Sequence, residues 1–342
     1  MRTAFPLVLA LVSVAGDALA QGAPGMSRVD RVRLAEAFRL AAAVGDRVWP
    51  GWGRGPFAVL LVTPEHEYLV GHPAPSADFG RLGFDTLLAS EVYVRARTQR
   101  MDLLATFPAI AGSMVPTIVV GRAEQTAAKT STPWVVTLLH EHFHQLQYAQ
   151  PAYYAQVEAL GLSRGDQTGM WMLNFPFPYD RPGVGERFAG VSRRLAIALG
   201  AASGSDHRDA LPGYLEARRA FRDALAADDY RYFAFQVWQE GIARYTEYQV
   251  ASLGAAGHTP NAEFAALPDF TPYAQVADAL HQRILRDLAV ADLAGARRVA
   301  FYAFGAAEGL LLDKVNPEWR RRYLEEKFDL EPYYAGGRLQ VR

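Results

Sequence analysis

Thr137-Leu-Leu-His-Glu-His-Phe-His-Gln-Leu146 contains the pattern His-Glu-x-x-His, formed by His140, Glu141 and His144. On an α-helix, residues four apart lie about 40° apart around the axis, so the two histidines project from one face, a turn apart. That spacing lets two imidazoles bind one Zn²⁺ ion. Glu141 is rotated by roughly 100°, which brings it near the open coordination position, where it can accept a proton from water. The stretch therefore predicts the site of a zinc-dependent hydrolase.

The residues around this pattern predict a helix with a buried face. Thr132 is a favourable N-cap and Pro133 a favourable first residue, so we expect the helix to begin there. The histidine stripe borders an apolar stripe, which predicts that the histidines lie at the edge of the buried face, on the floor of a cleft. His142 lies about 200° from His140 and is predicted to be a core-edge histidine rather than a ligand. The apolar stripe consists of Val135, Leu139, Phe143 and Leu146.

The segment before this helix, residues 21–131, has the alternation and turn signals of a mixed β-sheet. A helical period over residues 29–44 predicts a helix ahead of the sheet. Two of the predicted strands flank Thr63-Pro-Glu-His66 as a hairpin. The predicted strands are 57–62, 67–70, 91–95 and 116–120.

Residues 132–335 have mainly helical periodicity and are predicted to form a helical catalytic region, with an insertion at about 150–228. An aromatic, proline-rich loop at 170–182 is expected to pack as a loop, with the lining of an apolar substrate pocket as its alternative. The two parts together predict an α+β fold, in which a mixed sheet region precedes the His-Glu-x-x-His helix and a mainly α-helical C-terminal half. Helices are expected near 184–200, 207–227, 229–253, 273–294, 297–314 and 317–326.

The N-terminus predicts export. Arg2, the apolar run 5–14 and Ala18-Leu-Ala20 form the three parts of a signal peptide over residues 1–20, so we expect a periplasmic or secreted protein. The alternative is a buried N-terminal helix or a membrane anchor. No later stretch approaches the roughly 18 uninterrupted apolar residues of a membrane span. We therefore expect no stable membrane insertion once the signal is removed.

Charge and composition exclude several classes of protein. A formal net charge of −1 over 342 residues gives no basic surface for a polyanion, so we expect no nucleic-acid partner. The chain has no cysteine, which excludes thiolate zinc ligands, a cysteine nucleophile and a disulfide scaffold. With 50% hydrophobic and 21% charged residues, the fold must be stabilised by its core.

A second acidic motif, Trp238-Gln-Glu-Gly-Ile-Ala-Arg-Tyr-Thr-Glu247, supplies a candidate third ligand. Catalytic zinc sites leave one position open for water, so the protein must supply one ligand beyond the two histidines. Gly241 in a helix interior costs about 1 kcal/mol relative to Ala, which the close approach of a second helix would explain. Glu240 and Glu247 share one helix face. We predict that Glu240 binds the metal and that Glu247 orients an imidazole, with a salt bridge to Arg244 as its alternative role.

At these residues the chain resembles the gluzincin metallopeptidases, especially the aminopeptidase and leukotriene hydrolase type. In that family the His-Glu-x-x-His helix is followed by a W-L-N-E-G-x-x-x-Y-x-E-like helix, whose first Glu is the third zinc ligand. The resemblance implies one zinc per chain, a thermolysin-like catalytic architecture and a peptide or protein substrate. Gln239 stands in place of the usual Asn, and the matching positions are Trp238, Glu240, Gly241, Tyr245 and Glu247.

The family also has a Tyr-x-x-Gly motif whose Tyr hydrogen-bonds the tetrahedral intermediate. Here Tyr302-Ala-Phe-Gly305 begins 62 positions after Glu240. The resemblance implies that Tyr302 stabilises the oxyanion, a role for which Tyr245 and Tyr248 are alternatives. The alternative reason for Gly305 is close helix packing, which glycines on a helix permit.

The sequence departs from the family in two places. Between His144 and Glu240 lie 95 residues, far more than is usual, which predicts an inserted helical subdomain. The G-x-M-E-N strand that anchors the substrate amine in aminopeptidases is missing, since Gly112-Ser-Met-Val-Pro116 offers Val115 where the carboxylate would be. This difference argues against aminopeptidase specificity.

These features together predict an exported single-zinc hydrolase, a peptidase in which Glu141 is the general base. Two alternatives stay open. The chain could be a non-catalytic protein that keeps zinc as a structural or binding element, or a zinc hydrolase of a non-peptide amide or ester. Glu141 favours a catalytic site, since a structural zinc site needs no base.

Overall fold

A β-hairpin forms the centre of the sheet. In the computed structural model, which describes residues 25–201 and 204–335, β1 (Val59–Val62) and β2 (His66–Val70) pair antiparallel, with Val59 opposite Val70. The Thr63 hydroxyl donates a hydrogen bond of 2.7 Å to the His66 carbonyl and closes the turn. This confirms the predicted hairpin. The predicted signal peptide at residues 1–20 lies outside the described residues.

The sheet is mixed, as predicted, and has six strands in the order β3-β4-β2-β1-β6-β5. β1 and β6 run parallel, and the other neighbours are antiparallel. The edge strands β3 and β5 were not predicted, because β3 contains two glycines and mostly exposed side chains, and β5 has only four residues. The remaining strands are β3 (Gly80–Asp85), β4 (Ser90–Ala96), β5 (Leu104–Phe107) and β6 (Thr117–Gly121).

The parallel strands β1 and β6 are buried along their whole length, since both faces of the sheet are covered there. Val59 and Ile118 belong to the large core shared with the helices, whereas Leu60 and Val119 belong to a smaller cluster with Phe79 on the other face. The large core includes side chains from α1 (Arg28–Val48) and α2 (Ser131–Tyr148).

The C-terminal half is mainly helical, so the fold is α+β as predicted. The predicted helix at 229–253 corresponds to α7 and α8, joined by one π turn, Val237–Gly241. Among the described residues, no helix combines the length and apolar character that crossing a membrane would take. After α2 the helices are α3 (Tyr153–Glu158), α4 (Trp171–Asn174), α5 (Val184–Gly200), α6 (Gly204–Asp223), α7 (Ala227–Gln236), α8 (Ile242–Gly257), α9 (Ala262–Ala265), α10 (Tyr273–Val290), α11 (Leu293–Ala296), α12 (Ala300–Val315), α13 (Trp319–Arg322) and α14 (Glu331–Ala335).

The helix that carries the two histidines begins earlier than the sequence predicted. α2 starts at Ser131 with Thr130 as its N-cap, so the predicted cap at Thr132 was wrong. A distant carboxylate accounts for the difference. Asp269 accepts hydrogen bonds from the Ser131 backbone N–H at 2.9 Å and from its hydroxyl at 2.7 Å. It thereby satisfies a donor at the helix start that the local sequence leaves unpaired.

The aromatic loop packs into the core, as predicted. Its rings at Trp171, Phe175, Phe177 and Tyr179 are all buried. Phe175 stacks on Tyr232 of α7 with ring centroids 4.5 Å apart. The loop therefore covers apolar side chains of the helical half.

Candidate metal centre

Glu240 projects from the π turn between α7 and α8, where one extra residue is accommodated in the helix. The adjacent Gly241 lies directly against Gly305 of α12. A Cβ atom on Gly241 would lie 2.5 Å from the Gly305 Cα, and one on Gly305 would lie 2.6 Å from the Val237 carbonyl oxygen. Only glycine at both positions permits this contact, as the sequence predicted for Gly241.

Three side chains meet near the π turn, two from α2 and one from the turn itself. The Nε2 atoms of His140 and His144 are 3.1 Å apart. The Oε2 atom of Glu240 lies 3.7 Å from the first nitrogen and 3.5 Å from the second. Tetrahedral bonds of about 2.0–2.1 Å hold ligand atoms roughly 3.3 Å from one another. The three atoms therefore fit around one metal ion of that size, and the three residues form a group among the described residues that could hold a metal ion.

Glu247 orients the first imidazole. Its Oε1 atom lies 2.6 Å from His140 Nδ1, and its Oε2 atom accepts from Arg244 at 2.6 Å. A carboxylate only accepts hydrogen bonds, so the proton sits on Nδ1 and Nε2 is the nitrogen left for a metal. Both roles that the sequence left open for Glu247, the imidazole partner and the Arg244 partner, are present together.

Gln147 orients the second imidazole. Its Nε2 group donates to the Gln239 carbonyl at 3.2 Å and to the Tyr323 hydroxyl at 2.7 Å. Its Oε1 must then be the acceptor for His144 Nδ1, which lies 2.7 Å away. The His144 Nε2 lone pair is therefore directed to the cluster. Sequence reasoning missed Gln147, although its position three residues after His144 on one helix was a usable signal.

The charges around the cluster favour a cation. Burial alone would lower the pKa of His140, but the neighbouring carboxylates of Glu240 and Glu247 outweigh it and raise the pKa to about 10. Burial alone would raise the pKa of the Glu240 carboxyl, but the two histidines hold it well below its usual range. Positive charge is thus stabilised among these atoms, and a metal cation there would be stabilised for the same reason.

Glu141 lies beside the ligands and is held by the sheet. Its Oε2 atom accepts a hydrogen bond of 2.7 Å from Thr106 on the edge strand β5. The same hydroxyl lies 3.1 Å from the Glu141 carbonyl oxygen. The other carboxylate oxygen of Glu141 accepts no hydrogen bond from the described residues. Thr106 was missed because its strand was not predicted.

Among the three candidate tyrosines, the structure brings Tyr302 to the ligands. Burial and the nearby Glu240 carboxylate raise the pKa of its hydroxyl well above 10.0, so it stays a donor. Tyr245 instead donates to Asp313 at 2.7 Å within the core, and Tyr248 lies on α8 beside another helix.

No protein-family model, curated protein or solved structure matches this chain.

His142 lies away from the ligands, as the sequence predicted. Its ring stacks on Phe57 with centroids 3.9 Å apart and planes within 2°. Its Nδ1 atom pairs with Gln145 Oε1 at 2.7 Å. Burial lowers its pKa to about 4, so it is a neutral side chain at the edge of the core.

Tyr148 is a further neighbour that the sequence did not indicate. Its ring stacks on His144 with centroids 5.9 Å apart, and its hydroxyl accepts a hydrogen bond of 2.8 Å from Gln239. The Gln239 carbonyl oxygen of the side chain accepts in turn from Tyr153. The residue before Glu240 is therefore fixed to α2 and α3, which stabilises the π turn against the histidine helix.

Proposed function

We propose that this chain is a single-zinc hydrolase of the gluzincin type that cleaves peptide bonds. The observation that carries the proposal is the separation of 3.1 to 3.7 Å among the free nitrogens of His140 and His144 and the oxygen of Glu240. Two imidazoles and one carboxylate are a donor set of catalytic zinc sites, which leave a position for water. Glu141, next to this set, supports catalysis over a structural role.

Each side chain has a separate task in the proposed reaction. Bound zinc would polarise the scissile carbonyl and lower the pKa of water to about 7. Glu141 accepts the water proton and passes it to the leaving amine, while Thr106 keeps the carboxylate oriented. Tyr302 donates a hydrogen bond to the developing oxyanion, and its raised pKa keeps the proton available.

The order of elements supports a thermolysin-like catalytic architecture as part of this proposal. A mixed sheet precedes α2, an edge strand of that sheet contacts Glu141, and a later helix supplies Glu240. Residues 150–228, which contain α3 to α6, would be an insertion between the two ligand-bearing helices. Export to the periplasm or exterior is proposed from residues 1–20. It predicts a mature chain beginning at Gln21, which N-terminal sequencing of the exported protein would detect.

The test combines metal content with hydrolysis in matched variants. Wild type and Glu141→Gln should each hold one zinc per chain, whereas His144→Ala and Glu240→Ala should lose it or bind it weakly. Hydrolysis of a mixture of N-acylated peptides, followed by mass spectrometry, should fall by at least about 100-fold in Glu141→Gln. Glu186→Gln, an exposed change on α5, is the control and should behave as wild type.

The outcomes separate the alternatives. Hydrolysis retained in Glu141→Gln would disprove the proposed mechanism. Zinc in the wild type without cleavage of any peptide, ester or amide would indicate a binding or structural role. Cleavage restricted to non-peptide esters or amides would keep the site and change the substrate class. Zinc retained unchanged in Glu240→Ala would mean that the third ligand lies elsewhere.

A further inference from the structure

Arg298 is a half-buried cation beside the proposed zinc site. It lies in the 3₁₀ turn Arg297–Val299 that leads into α12, four residues before Tyr302. Its Nη1 group donates a hydrogen bond of 2.5 Å to the Tyr302 hydroxyl, and its guanidinium carbon lies 5.6 Å from the centre of that ring. Glu240 interacts electrostatically with both the Tyr302 hydroxyl and the Arg298 guanidinium, so Arg298 lies close to a proposed zinc ligand.

Arg298 forms no salt bridge among the described residues, unlike the arginines around it, although the Glu240 carboxylate interacts with its charge. Arg297 pairs with Asp180 at 2.7 Å, and Arg244 pairs with Glu247 at 2.6 Å. A guanidinium has five N–H donors in a planar fork, and Arg298 uses one of them on the described residues. None of its nitrogens is a buried polar atom that lacks a hydrogen-bond partner. The guanidinium group is therefore oriented by Tyr302 and accessible to solvent, and most of its N–H donors are available to a ligand.

We propose that Arg298 binds the free carboxylate of the substrate residue that follows the scissile bond, so that the enzyme releases the C-terminal residue of a peptide. This inference rests on the proposed zinc hydrolase. A guanidinium fork binds a carboxylate with two parallel, charge-assisted hydrogen bonds. One residue spans at most about 3.3–3.6 Å of chain. A carboxylate bound to Arg298, beside Tyr302 and Glu240, therefore belongs to a residue at, or next to, the cleaved bond.

The reaction balances as a hydrolysis. A bond forms between the water oxygen and the scissile carbonyl carbon, and the carbon–nitrogen bond breaks. Glu141 carries both water protons in turn to the leaving nitrogen, which departs as an ammonium group. The carboxylate of the departing amino acid stays bound to Arg298 until release, and the shortened peptide leaves with the carboxylate formed from the scissile carbonyl.

Two thiol probes test the anchor without any need for turnover. They are 2-benzyl-3-sulfanylpropanoic acid and its primary amide, titrated calorimetrically into the zinc-loaded protein. The thiol of each probe binds the zinc, and the two probes differ only in whether they carry a carboxylate or a primary amide. Wild type should bind the acid on the order of 10- to 100-fold more tightly than the amide. Arg298→Met should lose that preference and keep its affinity for the amide.

Arg297→Met is the matched control, because Arg297 is the neighbouring residue and is exposed and already paired with Asp180. It should keep the wild-type preference for the acid. Arg298→Lys should recover part of the preference, since it restores the charge without the fork. Melting temperatures of all variants, compared with wild type, exclude loss of fold as the cause of lost binding.

The outcomes distinguish this inference from the function on which it rests. If the wild-type protein binds the acid and the amide with equal affinity, Arg298 does not bind the substrate carboxylate, but the zinc-site proposal is unaffected. If neither probe binds and no zinc is held, both proposals fail. An N-acylated pentapeptide should lose only its last residue when its C-terminus is free, and should be resistant when amidated. Cleavage of the amidated peptide next to an internal Glu would assign Arg298 to a side-chain carboxylate and overturn exopeptidase action.

Discussion

The two candidate imidazole ligands are oriented by chemically different partners. Glu247 holds His140 with a carboxylate, whereas Gln147 holds His144 with an amide. A carboxylate makes the imidazole more basic, and an amide only selects the tautomer. The charge of Glu247 is partly balanced by Arg244, so the site gains orientation without an uncompensated buried anion.

Replacing Glu247 should therefore weaken metal binding without abolishing it. Glu247→Gln keeps the shape and an acceptor but loses the charge that supports His140, so zinc affinity should fall about 10- to 100-fold. Competition with a chromophoric chelator at neutral pH measures the change. Glu263→Gln, which alters an exposed ion pair with Arg28, should leave the affinity as in wild type. Equal affinities in all three proteins would contradict the assigned role.

At this scale, sequence reasoning identified the candidate ligands and Glu247, but it missed Gln147 on the histidine helix and two contacts made from other elements. His140, His144, Glu240 and Glu247 were predicted from spacing, because a helix places such residues on one face. Thr106 reaches Glu141 from a strand of four residues whose short pattern gave no signal. Arg298 reaches Tyr302 from a turn.

Among the elements, the contact between α12 and the π turn decides where the third ligand lies. Gly241 and Gly305 approach so closely that backbone meets backbone. Glu240 is adjacent to the first glycine, and Tyr302 precedes the second by less than one helical turn. Their separation is thus determined by this crossing.

A methyl group at the crossing should disturb both stability and the site. Gly305→Ala would put Cβ 2.6 Å from the Val237 carbonyl oxygen, so the helices must separate, at about 1–3 kcal/mol. Gly190→Ala in α5 is the control, since the nearest atom would be the end of a flexible arginine at 3.9 Å. It should be neutral or stabilising. Urea unfolding and zinc titration of both variants measure the effects. An unimpaired Gly305→Ala protein would show that the contact is not obligatory.

The start of α2 should respond to pH through Asp269. Burial alone would raise the pKa of this carboxyl, but hydrogen bonds from Ser131 and the charge of Arg33 lower it below the ordinary 3.8. A lowered pKa gives stability that is present above the ordinary value and lost as pH falls through the folded one. Asp269→Asn should destabilise the protein by about 1 kcal/mol at neutral pH. That difference should shrink below pH 3.8.

Urea unfolding at several pH values would measure this difference. Asp278→Asn, an exposed change on α10, should show no such trend. A destabilisation by Asp269→Asn that is independent of pH would point to lost packing instead of lost charge.

The elements that sequence predicted well are those whose signal is long and local. The hairpin and the long helices of the second half have clear alternation or a helical period, and the structure contains them. The beginning of α2 depends on Asp269, a residue 138 positions away, so no local pattern could locate it. β3 and β5 form because a neighbouring strand offers an edge, and such pairing is invisible in a window of four to six residues.

Across the whole molecule, the proposed metal would join two segments that are distant along the chain. Two ligands lie on α2, packed on the sheet, and the third lies in the helical half. An ion that binds only the folded state stabilises it by about 4 kcal/mol at a free concentration 1,000 times its dissociation constant.

Removing zinc should therefore lower the melting temperature by roughly 5–15 °C. Calorimetry of the chelator-treated and zinc-loaded protein measures this. His144→Ala should melt at the same temperature with or without zinc. A zinc-dependent rise of equal size in that variant would assign the stabilisation to another site.

The glycine crossing also bears on how the chain can change over evolution. The position of Glu240 depends on the packing of α8 against the histidine helix and on the glycine contact with α12, and not on the 95 residues between His144 and Glu240. That connecting segment can lengthen, shorten or acquire new helices while the ligand geometry is conserved. A substitution at either glycine, by contrast, moves the carboxylate and Tyr302 apart in a single step.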